Sequence, residues 1–342
     1  MGASRPESGD PVTALDGHVE RRPQATPAGV ALASLKWVTR IVVLVLLVDL
    51  VRILVTSKTI EWGTVWHYLT FGAILSGAAT TLELTVAGMA IGIALGVVLA
   101  LMRLSSSLLL NAAASGYLWF FRGTPLLVQI IFLYNFASFV QRITIGIPFG
   151  GPTLASWNTN SLITVASAAI LALGLNQGAY MCEIVRAGIL SVDEGQLEAS
   201  LALGMTGRRA MRRIILPQAM PVIIPPTGNN AIALLKDSSL VSVISMKELL
   251  YQAQLIYSAQ FNTIPLLVVV CIWYLAMTTV SSIGQHYLER HFGRGATMAP
   301  PPSFRQRFGR NLTSIFRPGR MSDWAAGGGG PPHAGGDSAL NP

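Results

Sequence analysis

Charge is what this chain has least of. Only 12% of its 342 residues are Asp, Glu, Lys or Arg, against roughly 25% in soluble globular domains. Cysteine is nearly absent. Cys182 and Cys271 each stand alone in an apolar stretch, which excludes a disulfide framework and a cysteine-based zinc site. His286 and His291 lie five apart without companions, so no metal site is expected. Lysine is scarce as well: Lys36, Lys58, Lys236 and Lys247, none within a G-x-x-x-x-G-K-[ST] phosphate loop. A chain without that cradle is not expected to hydrolyse ATP. No Ser/His/Asp constellation suggests covalent chemistry, so the chain reads as a non-enzyme.

What is abundant is apolar. Hydrophobic residues make up 51% of the chain and the mean hydropathy is +0.52. This excludes a disordered protein and argues against a cytosolic enzyme. The apolar residues fall in long runs, so lipid is the solvent to test. The net charge of +8 would suggest nucleic acid in a soluble protein. In a membrane protein it reflects basic cytoplasmic loops, and no nucleic-acid partner is expected.

Residues 1–35 are polar, with Pro6, Pro11, Pro23 and Pro27, and read as a disordered cytoplasmic tail rather than a cleavable signal. An extra N-terminal transmembrane helix is expected at 36–56, with Trp37–Val55 as its apolar run. Five further apolar segments follow: Phe71–Met102, Pro125–Val140, Leu162–Ala179, Pro217–Leu235 and Ile264–His286. Residues 71–290 form the main membrane domain. From 295 to 342 the chain is Gly/Pro-rich and reads as a second disordered tail. Six spans with the N-terminus inside leave 19 of the 24 Lys and Arg on the inner side and 4 outside. Both termini are therefore expected in the cytoplasm of a multi-pass plasma-membrane protein. Trp62, Trp66 and Tyr68 read as an interfacial belt.

Gly88, Gly92 and Gly96 repeat every four residues and would let a second helix approach closely. Thr124 and Pro125, after Arg122-Gly123, read as the start of the third span. Glu183 and Arg186 have the spacing of a local pair. The inner loop between spans four and five reads Gly195-Gln-Leu-Glu-Ala-Ser-Leu-Ala-Leu-Gly-Met-Thr206. Leu197, Leu201 and Gly204 have helical spacing, Glu198 falls in the expected first turn, and Gly204 is suited to end the helix. The basic run Arg208, Arg209, Arg212 and Arg213 follows. Such an exposed short helix can seat in a groove on another protein, or it can be an ordinary inner loop.

The fifth segment is interrupted by Pro217, Pro221, Pro225, Pro226 and Gly228, and continues through Asn229, Asn230, Lys236 and Asp237. Broken helices with polar residues often line a transport path, and a structural polar network is the competing reading. Glu83, a lone carboxylate in the second span, and Gln129 in the third are further candidates for that path, each with a structural alternative.

Glu198-Ala-Ser200, then Gly204, then Ile214-Ile-Leu-Pro217 resembles the E-A-A…G…I-x-L-P motif of ABC importer permeases, with Ser200 in place of the third small residue. Phe121–Gln129, Gly178–Gly188 and Leu234–Ile244 resemble the polar amino acid uptake subfamily in the same order along the chain. The resemblance implies an all-α polytopic bundle with a five-helix permease core, plus the extra N-terminal helix. It implies that Glu198, Ala199, Ser200 and Gly204 form the coupling helix on a separate ATPase subunit. This chain would bind no cofactor, with ATP and Mg held by that partner. The other implied partners are an external amino-acid-binding protein, a second permease chain of the same or a related kind, and membrane lipid. An ion-gradient-driven secondary transporter, with Glu83 or Asp237 carrying a proton, is the alternative.

Overall fold

The computed structural model describes residues 27–57, 59–146 and 153–292. The expected C-terminal tail, and residues 1–26 of the N-terminal one, lie outside them. The chain divides into two compact units. One includes α1 (Pro27–Thr56) as far as Leu54, and the other begins at Val55. α1 starts inside the segment read as tail. By sequence it is apolar around its whole circumference from Trp37 onward, apart from Arg40, Asp49 and Arg52. A helix without a polar face is matched to an apolar medium. The Arg40 guanidinium lies 5.3 Å from the centre of the Trp37 ring.

The second unit is helical, with a single two-stranded ribbon among the described residues. Its elements are α2 (Trp62–Leu69), α3 (Gly72–Arg103), α4 (Leu108–Gly123) and α5 (Leu126–Tyr134), then β1 (Arg142–Gly146) and β2 (Thr153–Asn158). These are followed by α6 (Thr159–Leu162), α7 (Val165–Leu190), α8 (Glu194–Ala202) and α9 (Gly207–Ala210). A π turn at Met211–Ile215 leads into α10 (Leu216–Asp237). A 3-10 segment (Ser238–Ile244), α11 (Leu249–Gln260) and α12 (Thr263–Phe292) complete it. β1 and β2 pair antiparallel, with Arg142 opposite Asn158.

Among the described residues, α3, α7 and α12 are each long and apolar enough to cross a bilayer, and α4 and α5 pass the same test only as a pair bent by 103°. The expected inner segment before the third span contains the helix α4, and Arg122 at its end and Arg103 at the end of α3 both lie within 4 Å of Glu183. Thr124 does not open a helix. Its hydroxyl donates back to the Phe120 carbonyl at 2.8 Å, and α4 ends there. α7 runs eleven residues past the expected end at Ala179, because Glu183 and Arg186 are paired rather than exposed. α10 is continuous through Pro221, Pro225 and Pro226 rather than broken. Each interior proline removes one N–H from the helix ladder, and Gln285 Nε2 donates to the Pro225 carbonyl on this stretch. Of the expected aromatic belt, Trp66 is exposed while Tyr68 is buried and Trp62 Nε1 donates to the Val55 carbonyl at 3.1 Å.

The glycine stripe sets the packing. A Cβ on Gly92 would lie 2.6 Å from Gln177 Cβ, one on Gly88 would lie 3.2 Å from Leu173 Cβ, and one on Gly96 would overlap Met181. From the other side, Gly174 and Gly178 receive Ile91 and Leu95. Both residue numbers rise together, so α3 and α7 are parallel. The chain between them must therefore cross back. Gly188 meets Ile223, whereas Leu234 lies beside Gly88, so α10 is antiparallel to both. Gln285 reaches Gly228 and Pro225, while Leu235 shares a cluster with Leu266 and Val269, so α12 runs antiparallel to α10. The C-terminal ends of α3, α7 and α12 thus share one side with α8 and α9.

Two buried clusters fill the bundle. The larger joins α3, α4, α5, α7 and α10 around Leu84, Ile130, Leu173 and Met181. The smaller joins α2, α11 and α12 to the start of α3 around Ile74, Leu249 and Leu266. The segment read as an outer loop after Asp237 folds into this second cluster. Leu249 N–H donates to Thr81 Oγ1 at 3.2 Å, inside α3.

Candidate functional site

Three constellations carry the polar chemistry. The first is the α7–α10 connection. The Asp193 carboxylate accepts from Gly195 N–H at 2.8 Å and opens α8. The helix therefore begins earlier than expected, and Glu194 rather than Glu198 occupies the first turn. At the other end Gly204 has φ +76°. Its N–H donates to the Leu201 carbonyl at 2.9 Å, and Met205 N–H donates to the Ser200 carbonyl at 3.1 Å. This bond pair is the Schellman closure, which needs a left-handed residue after the helix. Gly204 supplies it without the penalty a Cβ would bring.

Glu198 and Ala199 are exposed. Ser200 is buried and its hydroxyl donates to the Gln196 carbonyl at 2.6 Å, so this side chain faces the bundle. The free surface instead carries Leu197, Leu201 and Leu203, the last 83% exposed. Arg208, Arg209, Arg212 and Arg213 lie exposed beyond them. Gln218 Nε2 donates to the Ile214 carbonyl at 3.1 Å and reaches Gln196 Oε1 at 3.5 Å, linking α8 to the base of α10. The result is a capped, convex apolar knob with a basic flank, joined to a long helix through the π turn.

The second constellation is α10. Asn229, Lys236 and Asp237 are exposed along it, and Asn230 is half-buried with no hydrogen-bond partner for its Nδ2. Gln285 Nε2 on α12 donates to the Pro225 carbonyl at 3.2 Å, Asn229 Oδ1 at 3.1 Å and Glu289 Oε1 at 2.8 Å. Glu83 is exposed on α3, and among the described residues Glu83, Lys236 and Asp237 make no ion pair within 4.0 Å. Gln129 stands apart from this face. Its Nε2 donates to the carbonyls of Phe121 (2.9 Å) and Thr124 (3.1 Å) and to Thr124 Oγ1 (2.8 Å). Its Oε1 accepts from Asn176 Nδ2 at 3.0 Å. The amide is consumed by the bend between α4 and α5.

The third constellation comprises residues that sequence reasoning passed over. Glu183 gathers Arg186 at 3.2 Å, Arg122 at 3.7 Å and Arg103 at 3.8 Å. Only the Glu183–Arg186 spacing was visible in sequence. Glu248 is fully buried. Its carboxylate accepts from Leu250 N–H (2.8 Å), Tyr251 N–H (2.7 Å) and the Tyr274 hydroxyl (3.2 Å). It caps α11 and ties it to α12. A lone glutamate before a short helix gives no sequence signal of that burial.

Residues 92–294 match the family described as binding-protein-dependent transport system inner membrane component. The chain is 40% identical to the arginine transport system permease protein ArgU of Corynebacterium glutamicum, over 83% of this chain and 86% of that protein. It is 32% identical to the glutamine transport system permease protein GlnP of Escherichia coli K12, over 67% of this chain and 96% of that protein. Among solved structures, it resembles the crystal structure of an amino acid ABC transporter with histidines. The identity is 37% and the TM-score 0.54, over 64% of this chain and 94% of that one. With its helical bundle, its parallel α3 and α7, and these relatives, the chain belongs to the binding-protein-dependent inner membrane components, the non-catalytic permease subunits of ABC importers.

Proposed function

We propose that this permease carries a polar amino acid into the cytoplasm and that α8 is its point of coupling to a separate ATPase. The observation that carries the coupling reading is the Gly204-closed helix with Leu197, Leu201 and Leu203 free on one surface. Its side of the bundle also holds Arg103, Arg122, Arg186, Arg208, Arg209, Arg212, Arg213 and Arg290, which by the positive-inside bias is the cytoplasmic side. The C-terminus then lies in the cytoplasm, and the N-terminus too if the six spans expected from the sequence all cross.

In this reading ATP and Mg are bound by the partner subunits, whose closure displaces α8. Gln218 and the π turn pass the movement to α10, and the bundle alternates between inward-open and outward-open states. Glu198 and Ala199 lie on the seating surface, Gly204 fixes its end, and Ser200 holds the helix to its own bundle. The cargo path runs along the polar face of α10, with Asn229, Asn230, Lys236 and Asp237, and is closed by a second permease chain of the same or a related kind. Glu83 belongs to that exposed face, whereas Gln129 acts by holding the α4–α5 bend. An external amino-acid-binding protein delivers the cargo. The relatives named for arginine and glutamine support an amino acid as the cargo class.

The test is uptake into proteoliposomes containing this permease, its ATPase and its binding protein. Labelled arginine, glutamine, histidine and glutamate are offered with ATP inside. ATP-dependent uptake of at least one is expected. Uptake driven by an ion gradient without the ATPase would refute the reading.

A further inference from the structure

We propose that the cavity of about 470 Å³ bounded by α3, α4 and α7 holds the phosphodiester headgroup of an anionic membrane lipid. Arg103, Ser115, Trp119, Arg122, Tyr180 and Glu183 line it. Glu183 is the one carboxylate facing three arginines, so the group carries two positive charges in excess. Arg186 takes one carboxylate oxygen at 3.2 Å in a hydrogen bond. Arg122 and Arg103 approach the other only to 3.7 and 3.8 Å, beyond hydrogen-bond length. Arg103 Nε is buried with no partner at all. The Arg122 guanidinium is steadied 5.7 Å from the Tyr180 ring centre. Two guanidinium groups lining one cavity, neither hydrogen-bonded to the carboxylate between them, match the oxygens of a phosphate.

The walls indicate where that phosphate comes from. All the lining residues belong to α3, α4 and α7, and none to α10. Trp119 is 80% exposed, on the helix that also exposes Leu108 and Leu109. Arg103 ends α3, and Glu183 lies seven residues, roughly 10 Å, from the end of α7. An exposed tryptophan beside basic residues at that depth is the arrangement of the membrane–water interface, and basic pockets between membrane helices bind anionic headgroups. The inference needs α4 to face lipid, and it stands apart from the readings of cargo and coupling.

The test is native mass spectrometry of the intact transporter, offered phosphatidylglycerol, phosphatidylcholine or millimolar inorganic phosphate. The wild type should retain phosphatidylglycerol at least about tenfold over phosphatidylcholine. The paired substitution Arg103→Gln with Arg122→Gln should abolish that preference, and Arg122→Lys should keep part of it. Glu183→Gln, which removes the competing carboxylate, should increase retention in the assembled fraction, an effect opposite in sign to a folding defect. Equal retention in all variants would overturn the proposal. So would arginine-dependent binding of inorganic phosphate without lipid, which would assign the cavity to a dissolved anion.

Discussion

At position 204 a single φ of +76° decides how α8 ends. A Cβ there costs about 1–2 kcal/mol, and relieving it unwinds the turn that presents Leu203. Gly204→Val should therefore cut ATP-driven uptake more than tenfold while membrane insertion, read by immunoblot, stays normal. Gly204→Asn, which tolerates the left-handed region, should keep most of the flux. Equal flux in wild type and Gly204→Val would remove the helix end from the mechanism. Gly92 makes a different demand, because there the space is filled. A side chain would drive into Gln177 at 2.6 Å, and overpacking of this kind costs about 1–3 kcal/mol. Gly92→Leu should lower the thermal midpoint in detergent by several degrees and reduce expression. Both glycines were legible in sequence, one from its place after a helical run and the other from the four-residue repeat it shares with Gly88 and Gly96. Glu248 was not, because a buried carboxylate is recognisable only once the N–H groups of Leu250 and Tyr251 and the Tyr274 hydroxyl are seen around it.

Among the elements, the bend between α4 and α5 shows best what apolar runs fail to reveal. A 103° turn leaves the last carbonyls of α4 without helical partners. Gln129 and Asn176 supply the donors, both reaching the Phe121 carbonyl. Gln129→Leu should leave the Thr124 carbonyl without its donor and the Phe121 carbonyl with Asn176 alone, at about 1–3 kcal/mol. A lowered thermal midpoint with unchanged cargo selectivity is expected. Altered selectivity at an unchanged midpoint would return Gln129 to the path. Hydropathy located α3 and α12 closely, since each is a single long apolar run. It missed α4 and misread α11, because Asn111 and Glu248 suggest exposed loop until their partners are known. Proline likewise suggested a broken α10, which is continuous in the fold.

For the molecule as a whole, helix directions carry the argument. Parallel α3 and α7, with α10 reversed and α12 reversed again, put α8 and the arginine-rich ends on one side. Among the described residues, Lys236 and Asp237 on the exposed polar face of α10 make no ion pair within 4.0 Å, which suits the proposed path shared with a second permease. Asp237→Ala should change the KM for cargo or the preference between cationic and neutral amino acids at normal expression. Unchanged values would exclude Asp237 from the path. The family was legible from the spacing of Glu198, Gly204 and Pro217, whereas the inward-facing Ser200 and the arginines gathered on Glu183 required the folded bundle. The central claim is that the knob on α8 is worked by an ATPase, and crosslinking from Leu203 tests it most directly. With the exposed Cys271 replaced by Ser, Leu203→Cys in native vesicles should crosslink to an ATP-hydrolysing subunit, and the link should stop uptake. Absence of that adduct, with uptake persisting after ATP depletion, would contradict the account.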